Sequence, residues 1–197
     1  MIPLLGGLKK GLVFVISAPA GTGKTTLVRM LRDEFHCLIE SVSFTTRKPR
    51  TSEKEGVDYF FISKEAFEQK IREGEFLEHA QVFDNYYGTS KIFVEKEREK
   101  GKHVILIIDT QGALQLMQKL DAVFIFISPP SLEELKNRLY RRNADTDETI
   151  ALRLSWAEKE MALAPRYNYH IINENLKIAY DVLRSILIAE EHRNPPQ

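Results

Sequence analysis

The sequence predicts an α/β fold: a parallel sheet core covered by helices on both faces, with a small mixed α+β insertion and a helical lid. Four short apolar runs, rich in Val, Ile and Phe, lie at residues 12–16, 104–108, 123–127 and 169–172. None of them alternates with polar residues, which is typical of strands buried on both faces. Helical patterns separate these runs, and strands that alternate with helices form parallel sheets.

The helices are predicted from apolar residues that recur at helical spacing. The first helix follows the first run directly, and Ser131 with Glu134 forms the capping box that begins a later one. The apolar faces are carried by Leu27, Leu31 and Phe35 in the first helix, by Leu132, Leu135 and Leu139 in the capped helix, and by Ala179, Leu183, Ile186 and Leu187 in the last.

Two stretches break the alternation of strand and helix. Residues 41–87 are rich in Thr, Arg and aromatic side chains, with short alternating pieces, and residues 141–149 are polar and acidic. We expect the first to be an insertion with its own strands and the second to be a mobile flap. The predicted division is a core of residues 1–42, 90–140 and 153–197, an insertion of 43–89, and a lid of 141–152.

Composition and charge exclude several function classes. The 197 residues carry 28 Lys or Arg and 28 Asp or Glu, so the net charge is zero, which argues against binding long nucleic acid. Cys37 is the only cysteine, which excludes an intramolecular disulfide and favours a reducing compartment. The apolar runs are too short to cross a bilayer. We expect a cytoplasmic chain that does not bind membranes.

A phosphate-binding loop follows the first predicted strand. Residues 18–25 read Ala-Pro-Ala-Gly-Thr-Gly-Lys-Thr and lead into the first helix, which is the P-loop spacing in its required strand–loop–helix context. Glycines allow backbone N–H groups to converge on phosphate oxygens at a helix N-terminus. Lys24 supplies charge for the outer phosphates, and the Thr25 hydroxyl is a natural Mg²⁺ ligand. The predicted nucleotide-binding residues are Ala18, Pro19, Ala20, Gly21, Thr22, Gly23, Lys24, Thr25 and Thr26.

Asp109 closes the apolar run at residues 104–108 and has two possible roles. An aspartate at the end of a strand beside the P-loop commonly completes the Mg²⁺ shell. It is also a good N-cap for the helix that follows, and both roles can hold together. The chain is therefore predicted to bind a nucleoside triphosphate with Mg²⁺.

Candidate acceptor-binding residues cluster in the predicted insertion. Arg47 and Arg50 lie three positions apart in a proline-containing loop, and the planar arginine fork suits phosphate oxygens. Taken singly, each candidate has an ordinary interpretation as a solvated arginine, a half-buried tyrosine or a surface carboxylate. The other candidates are Ser43, Tyr59, Glu78, Tyr87 and Thr89.

Taken together, these residues resemble the guanylate kinase family, whose members transfer a phosphoryl group from ATP to GMP. The resemblance runs in family order over roughly residues 11–190. Beyond the P-loop, the matching segments are residues 41–50, 56–61, 76–80, 85–89, 108–112 and 128–131.

The resemblance implies a role for each candidate. The acceptor phosphate would be held by Arg47, Arg50, Tyr59 and Tyr87, and guanine read by Ser43, Glu78 and Thr89. Flap arginines fall on Arg138, Arg142 and Arg153, although pairing with Glu134 explains Arg138 equally well. We expect Lys24, Arg47, Arg142 and Arg153 to be catalytic, Arg138 to contact ATP, Asp109 to lie in the substrate site, and Thr25 and Asp109 to hold Mg²⁺.

The implied function is Mg²⁺-dependent transfer from ATP to GMP, and to dGMP, in purine nucleotide metabolism, by a monomer or homodimer. Two positions depart from the family pattern: Ile107 stands where a second acidic residue is usual, and Asn143 where the flap usually has glycine. Two alternatives stay open. One is a guanylate-kinase-like module that binds phosphopeptides; the other is a P-loop kinase of a phosphorylated sugar.

Overall fold

A computed structural model describes residues 3–82, 84–141 and 146–194, which form nine strands and seven α-helices. The strands are β1 Val13–Ser17, β2 Leu38–Glu40, β3 Phe44–Thr45, β4 Phe60–Phe61, β5 Phe76–Val82, β6 Asn85–Ser90, β7 His103–Ile107, β8 Val123–Ser128 and β9 Tyr169–Ile172. The helices are α1 Lys24–Glu34, α2 Lys64–Arg72, α3 Lys91–Glu99, α4 Thr110–Leu116, α5 Leu132–Arg141, α6 Asp147–Met161 and α7 Leu176–Glu191.

The larger sheet is entirely parallel and confirms the predicted fold class. Its strand order is β2-β7-β1-β8-β9, with β1 paired to β7 and β8 on its two sides. All four predicted strands are present within one residue of the predicted bounds. The carboxyl ends of parallel strands meet at one edge of a sheet, which is where such folds bind ligands. The P-loop, Asp109 and the end of β9 therefore lie along the same edge.

Side chains of β1 alternate between the two faces of this sheet. Phe14 and Ile16 pack with residues of α1 and α7 on one face, whereas Val13 and Val15 pack with residues of α3 and α4 on the other. All four are buried, and burying such a side chain contributes about 1.5–3 kcal/mol. The central strand thus has no polar face, which explains why residues 13–16 are all apolar.

A second, mixed sheet is built only from strands between residues 44 and 90. Its order is β4-β3-β6-β5; β3 pairs parallel with β4 and antiparallel with β6. Aromatic rings pack beside it, with Phe67 stacked on both Phe76 and Tyr86 at centroid distances of 4.6 and 5.4 Å. This small aromatic core confirms the mixed α+β insertion in the predicted fold class.

Helices α5 and α6 pack on each other through a small apolar cluster of Leu135, Leu139, Ile150 and Ala157. The Ser131 hydroxyl accepts a hydrogen bond from the Glu134 N–H at 3.1 Å, so the predicted cap is present. The Glu134 carboxylate, however, is bound by the Arg138 Nε at 2.8 Å. Residues 142–145, with Arg142 and Asn143, lie outside the described residues, and the boundaries of core, insertion and lid stay predictions.

A buried polar network lies at the opposite edge of the parallel sheet. Glu191, in the last turn of α7, accepts hydrogen bonds from the backbone N–H groups of Gly6 and Gly7, and its carboxylate lies 2.6 Å from His103 Nε2. His103 Nδ1 accepts from the Leu12 N–H, so Nε2 carries the ring proton and donates to Glu191. Across the described ranges, no helix combines the length and apolar character that a bilayer span requires.

Candidate active site

The P-loop joins the end of β1 to the start of α1, as the sequence predicts. Gly21 and Gly23 have φ angles of +91° and +95°, a region that side-chain-bearing residues rarely adopt. The buried Thr22 hydroxyl donates a hydrogen bond to the Pro19 carbonyl at 2.7 Å, which closes the loop on itself. The loop amides are thereby held at the N-terminus of α1, where anions are favoured.

Asn173, which sequence reasoning missed, directly follows β9 and ties the end of that strand to this loop. Its buried side-chain amide donates to the Thr22 carbonyl at 2.7 Å. A Cβ atom on Gly23 would lie only 2.7 Å from the same amide nitrogen, so the close approach requires glycine. The available signal was a polar residue directly after an apolar strand, at the edge of the sheet that gathers ligands.

The Lys24 ammonium interacts electrostatically with two carboxylates. Its ammonium donates to the Ala18 carbonyl at 3.3 Å. Burial lowers the pKa of Lys24, while Glu160 and Asp109 act in the opposite direction. Glu160 on α6, also missed from the sequence, has a pKa raised by burial although Lys24 opposes the shift. The lysine charge is thus held in a partly desolvated acidic surrounding, where an added phosphate interacts strongly with it.

Asp109 is the N-cap of α4. Its Oδ1 accepts hydrogen bonds from the N–H groups of Gln111 and Gly112, at 2.7 and 3.0 Å. The capping role considered from the sequence is therefore present, and the cap leaves the Oδ2 atom unused. Thr25, in the first turn of α1, is exposed. Ile107 provides no second carboxylate, and the carboxylates of Glu160 and Glu78 interact electrostatically with Asp109 instead.

Glu78 and Thr89 form a buried pair on the neighbouring strands β5 and β6. The Thr89 hydroxyl donates to Glu78 Oε1 at 2.6 Å, and the two residues are 4% and 1% exposed. Burial raises the pKa of Glu78 to about 7, with Thr89 acting against the shift. Because Phe44 pairs with Gly88, Ser43 lies opposite Thr89 along the same register. Of the three residues predicted to read a base, two therefore lie on adjacent strands, and Ser43 directly precedes the next strand, β3.

Gly112 connects this pair to the core. A Cβ atom on Gly112 would lie 2.5 Å from Glu78 Oε2, so no side chain fits at this position while Glu78 keeps its place. The N–H of the same glycine is capped by Asp109. The first turn of α4 thus touches Glu78 on one side and carries Asp109 on the other.

The structure brings three of the four predicted phosphate-binding residues together. The Arg47 guanidinium carbon lies 5.4 Å from the centre of the Tyr59 ring, and the rings of Tyr59 and Tyr87 are 5.9 Å apart. Hydrogen bonding to Glu53, and secondarily to Tyr87, raises the pKa of Arg47. The Arg50 side chain is 66% exposed, and its Nη1 lies 3.9 Å from the Glu53 oxygen that binds Arg47.

Comparisons with known proteins agree with this geometry. The sequence model of the family described as guanylate kinase matches residues 10–190, nearly the whole chain. The chain belongs to the guanylate kinase family. The guanylate kinase of Protochlamydia amoebophila is 58% identical over 96% of this chain and 97% of its own length, and that of Chlamydia felis is 50% identical over 92% and 90%. The crystal structure of guanylate kinase from Anaplasma phagocytophilum gives a TM-score of 0.77 at 36% identity, covering 94% of this chain and 88% of that one.

The structure describes two of the three flap arginines that the guanylate kinase resemblance implies. Arg138 pairs with Glu134 on the same helix, which is the alternative considered from the sequence. Arg153 lies on α6, whereas Arg142 is outside the described residues. Their roles toward nucleotide stay predictions.

Proposed function

We propose that this chain transfers the γ-phosphoryl group of ATP to GMP, forming ADP and GDP. The observation that carries the proposal is the buried Glu78–Thr89 pair, because a P-loop alone is common to many kinases. An ionised carboxylate only accepts hydrogen bonds, so it suits the N1 and N2 donors of guanine and repels the N1 lone pair of adenine. Leaving a buried polar group unpaired costs about 1–3 kcal/mol, which gives a strong preference for GMP over AMP.

The other candidate residues form two groups, one for the phosphate of GMP and one for the phosphates of ATP. Arg47, Arg50, Tyr59 and Tyr87 would hold the GMP phosphate, and the P-loop amides with Lys24 would hold those of ATP. The acceptor is already an anion, so the chain needs no general base; it needs alignment and charge neutralisation. A closed lid that brings Arg138, Arg142 and Arg153 to the phosphates would also exclude water, which otherwise competes as acceptor.

The residues present fit a Mg²⁺ ion shared with the phosphates. Among the described residues, no group of three or more His, Cys, Asp or Glu side chains could hold a metal by itself. Mg²⁺ in kinases uses one or two carboxylates together with substrate phosphates and water. Asp109, with the oxygen its cap leaves unused, and the exposed Thr25 hydroxyl would supply the protein ligands. When bound, the ion neutralises charge that develops on the transferring phosphates.

No observation favours either alternative. A phosphopeptide-binding module has no use for an intact Gly23-Lys24-Thr25 loop, and a kinase of a phosphorylated sugar has none for base-reading residues. We further propose a cytoplasmic location, supported by the single cysteine, a monomer or homodimer, and the division into core, insertion 43–89 and lid 141–152.

Steady-state kinetics with ATP and a panel of acceptors tests the proposal. We expect the efficiency with GMP to exceed that with AMP roughly a hundredfold or more, as two mispaired buried groups require. UMP and ribose bisphosphate serve as the other acceptors, and dGMP tests tolerance of the sugar. Equal efficiency with GMP and AMP, or turnover of ribose bisphosphate alone, would contradict the proposal.

A further inference from the structure

We propose that Glu53 is a positioning residue that fixes Arg47 for the acceptor phosphate, an inference that rests on the proposed function. Glu53 stands in the turn that follows the loop of the two arginines, and nothing in the sequence pattern distinguishes it from its neighbours. Its carboxylate is the group that holds this loop in shape.

Both carboxylate oxygens of Glu53 are used within the loop. Oε1 accepts from Arg47 Nη2 at 2.8 Å, and Oε2 accepts from the Arg50 backbone N–H at 2.8 Å. The Glu53 N–H in turn donates to the Arg50 carbonyl at 3.0 Å, which closes a turn over residues 50–53. The carboxylate thus fastens the Arg47 side chain and the Arg50 backbone at the same time.

Arg47 is held without losing its capacity to bind phosphate. Its guanidinium has five N–H donors, of which one goes to Glu53, one to the Lys48 carbonyl and one to Tyr87, leaving two for a phosphate. The Arg47 side chain is 17% exposed and that of Glu53 13%, so the pair is mostly shielded from water. A guanidinium fixed in this way loses little conformational freedom when a phosphate arrives.

The negative charge of Glu53 also favours the arrangement of the two arginines in the empty phosphate site. Two guanidinium groups three residues apart repel each other until a phosphate binds between them. Glu53 Oε1 lies 2.8 Å from Arg47 Nη2 and 3.9 Å from Arg50 Nη1, so its single negative charge is close to both positive charges and reduces the repulsion between them. Arg50 itself remains exposed and can move to the ligand.

The opposite role, that of an internal competitor which the phosphate must displace, predicts the opposite kinetics. Glu53 is anchored through its side chain and its backbone, and displacement would break all of these contacts together. We therefore expect Glu53 to stay in place when GMP binds. Its removal should weaken GMP binding, whereas removal of a competitor would strengthen it.

The experiment compares Glu53→Ala and Glu53→Gln with the wild-type chain in kinase assays and in calorimetric binding of GMP and guanosine. Glu53→Ala should raise the KM for GMP by about 10- to 100-fold, the loss expected for a charge-assisted contact. The kcat and the KM for ATP should stay within about twofold. Guanosine lacks the phosphate, so its Kd should not change. Glu53→Gln keeps one acceptor and should fall between.

Glu55→Ala is the matched control, since the Glu55 carboxylate accepts from the Phe61 N–H in the same loop but touches neither arginine. An unchanged or lowered KM for GMP in Glu53→Ala would overturn the positioning role. Equal weakening of GMP and guanosine would overturn it as well, because the loss would then be a general distortion. A wild-type chain that does not phosphorylate GMP refutes the proposed function and this inference together.

Discussion

We predict that the stability of Glu78→Gln relative to wild type is higher at pH 8 than at pH 4.5. Folding raises the pKa of Glu78 from 4.5 to about 7, because burial disfavours the charged carboxylate. Between these two values the folded chain binds a proton that the unfolded chain does not. The contribution of Glu78 to the unfolding free energy of wild type is therefore fully present below pH 4.5 and is lost as the pH rises through 7.

The size of the effect follows from the shift. A difference of 2.5 pH units corresponds to about 3 kcal/mol of unfolding free energy. Glutamine is neutral throughout and keeps an oxygen for the Thr89 hydroxyl, which donates to Glu78 Oε1. The unfolding free energy of Glu78→Gln minus that of wild type should therefore increase by about 3 kcal/mol between pH 4.5 and 8.

Urea unfolding at a series of pH values measures this difference, and titrating groups that do not interact with Glu78 cancel in the subtraction. Glu95→Gln, on the exposed face of α3, is the control and should give a constant difference. A constant difference for Glu78→Gln as well would refute the reasoning, since the carboxylate would then not be desolvated. In wild type but not in Glu78→Gln, GMP binding should also weaken roughly tenfold per pH unit below 7, because the Glu78 carboxylate becomes protonated and no longer accepts the guanine donors.

Three further predictions concern the P-loop and the distant polar network. Lys24→Ala should lower turnover by about a hundredfold or more with an unchanged circular dichroism spectrum, and near-normal turnover would remove the P-loop assignment. Asn173→Ala should raise the KM for ATP by about tenfold, because the 2.7 Å bond to Thr22 is lost, while the KM for GMP changes less than twofold; equal changes would contradict a role in the loop. Glu191→Ala should lower the unfolding free energy by about 3–5 kcal/mol, because three donors lose one buried acceptor, without changing either KM. A stability loss below 1 kcal/mol would contradict it.

The fold was predictable because apolar runs report burial directly, but strand ends were less so. The first run was expected at residues 12–16, whereas β1 is Val13–Ser17, since Ser17 is buried and paired despite its hydroxyl. His103 likewise begins β7 because its ring is satisfied by Leu12 and Glu191. Strand β2 has three residues, too few to show any period.

Some site residues could be predicted from local sequence, whereas others act through contacts between distant parts of the chain. The P-loop is visible in eight consecutive residues because its geometry is set by local backbone. Asn173 reaches Thr22 across 151 positions, and Glu160 approaches Lys24 from another helix. Single polar residues that act through such tertiary contacts leave no spacing in the sequence to detect. Glu53 was hidden for the converse reason, since a glutamate in a polar loop is ordinary.

The contact of Gly112 with Glu78 has a consequence for attempts to redesign this enzyme toward another base. The same glycine contacts Glu78, which we propose reads the base, and its N–H is capped by Asp109, which we propose helps to hold Mg²⁺, so one backbone position touches both proposed subsites. A library that randomises position 78 alone will recover only side chains that leave the glycine surface undisturbed. Larger or differently shaped readers will shift the helix turn and spoil alignment of the phosphates, so new specificity and full speed must be selected together, with α4 varied alongside the insertion.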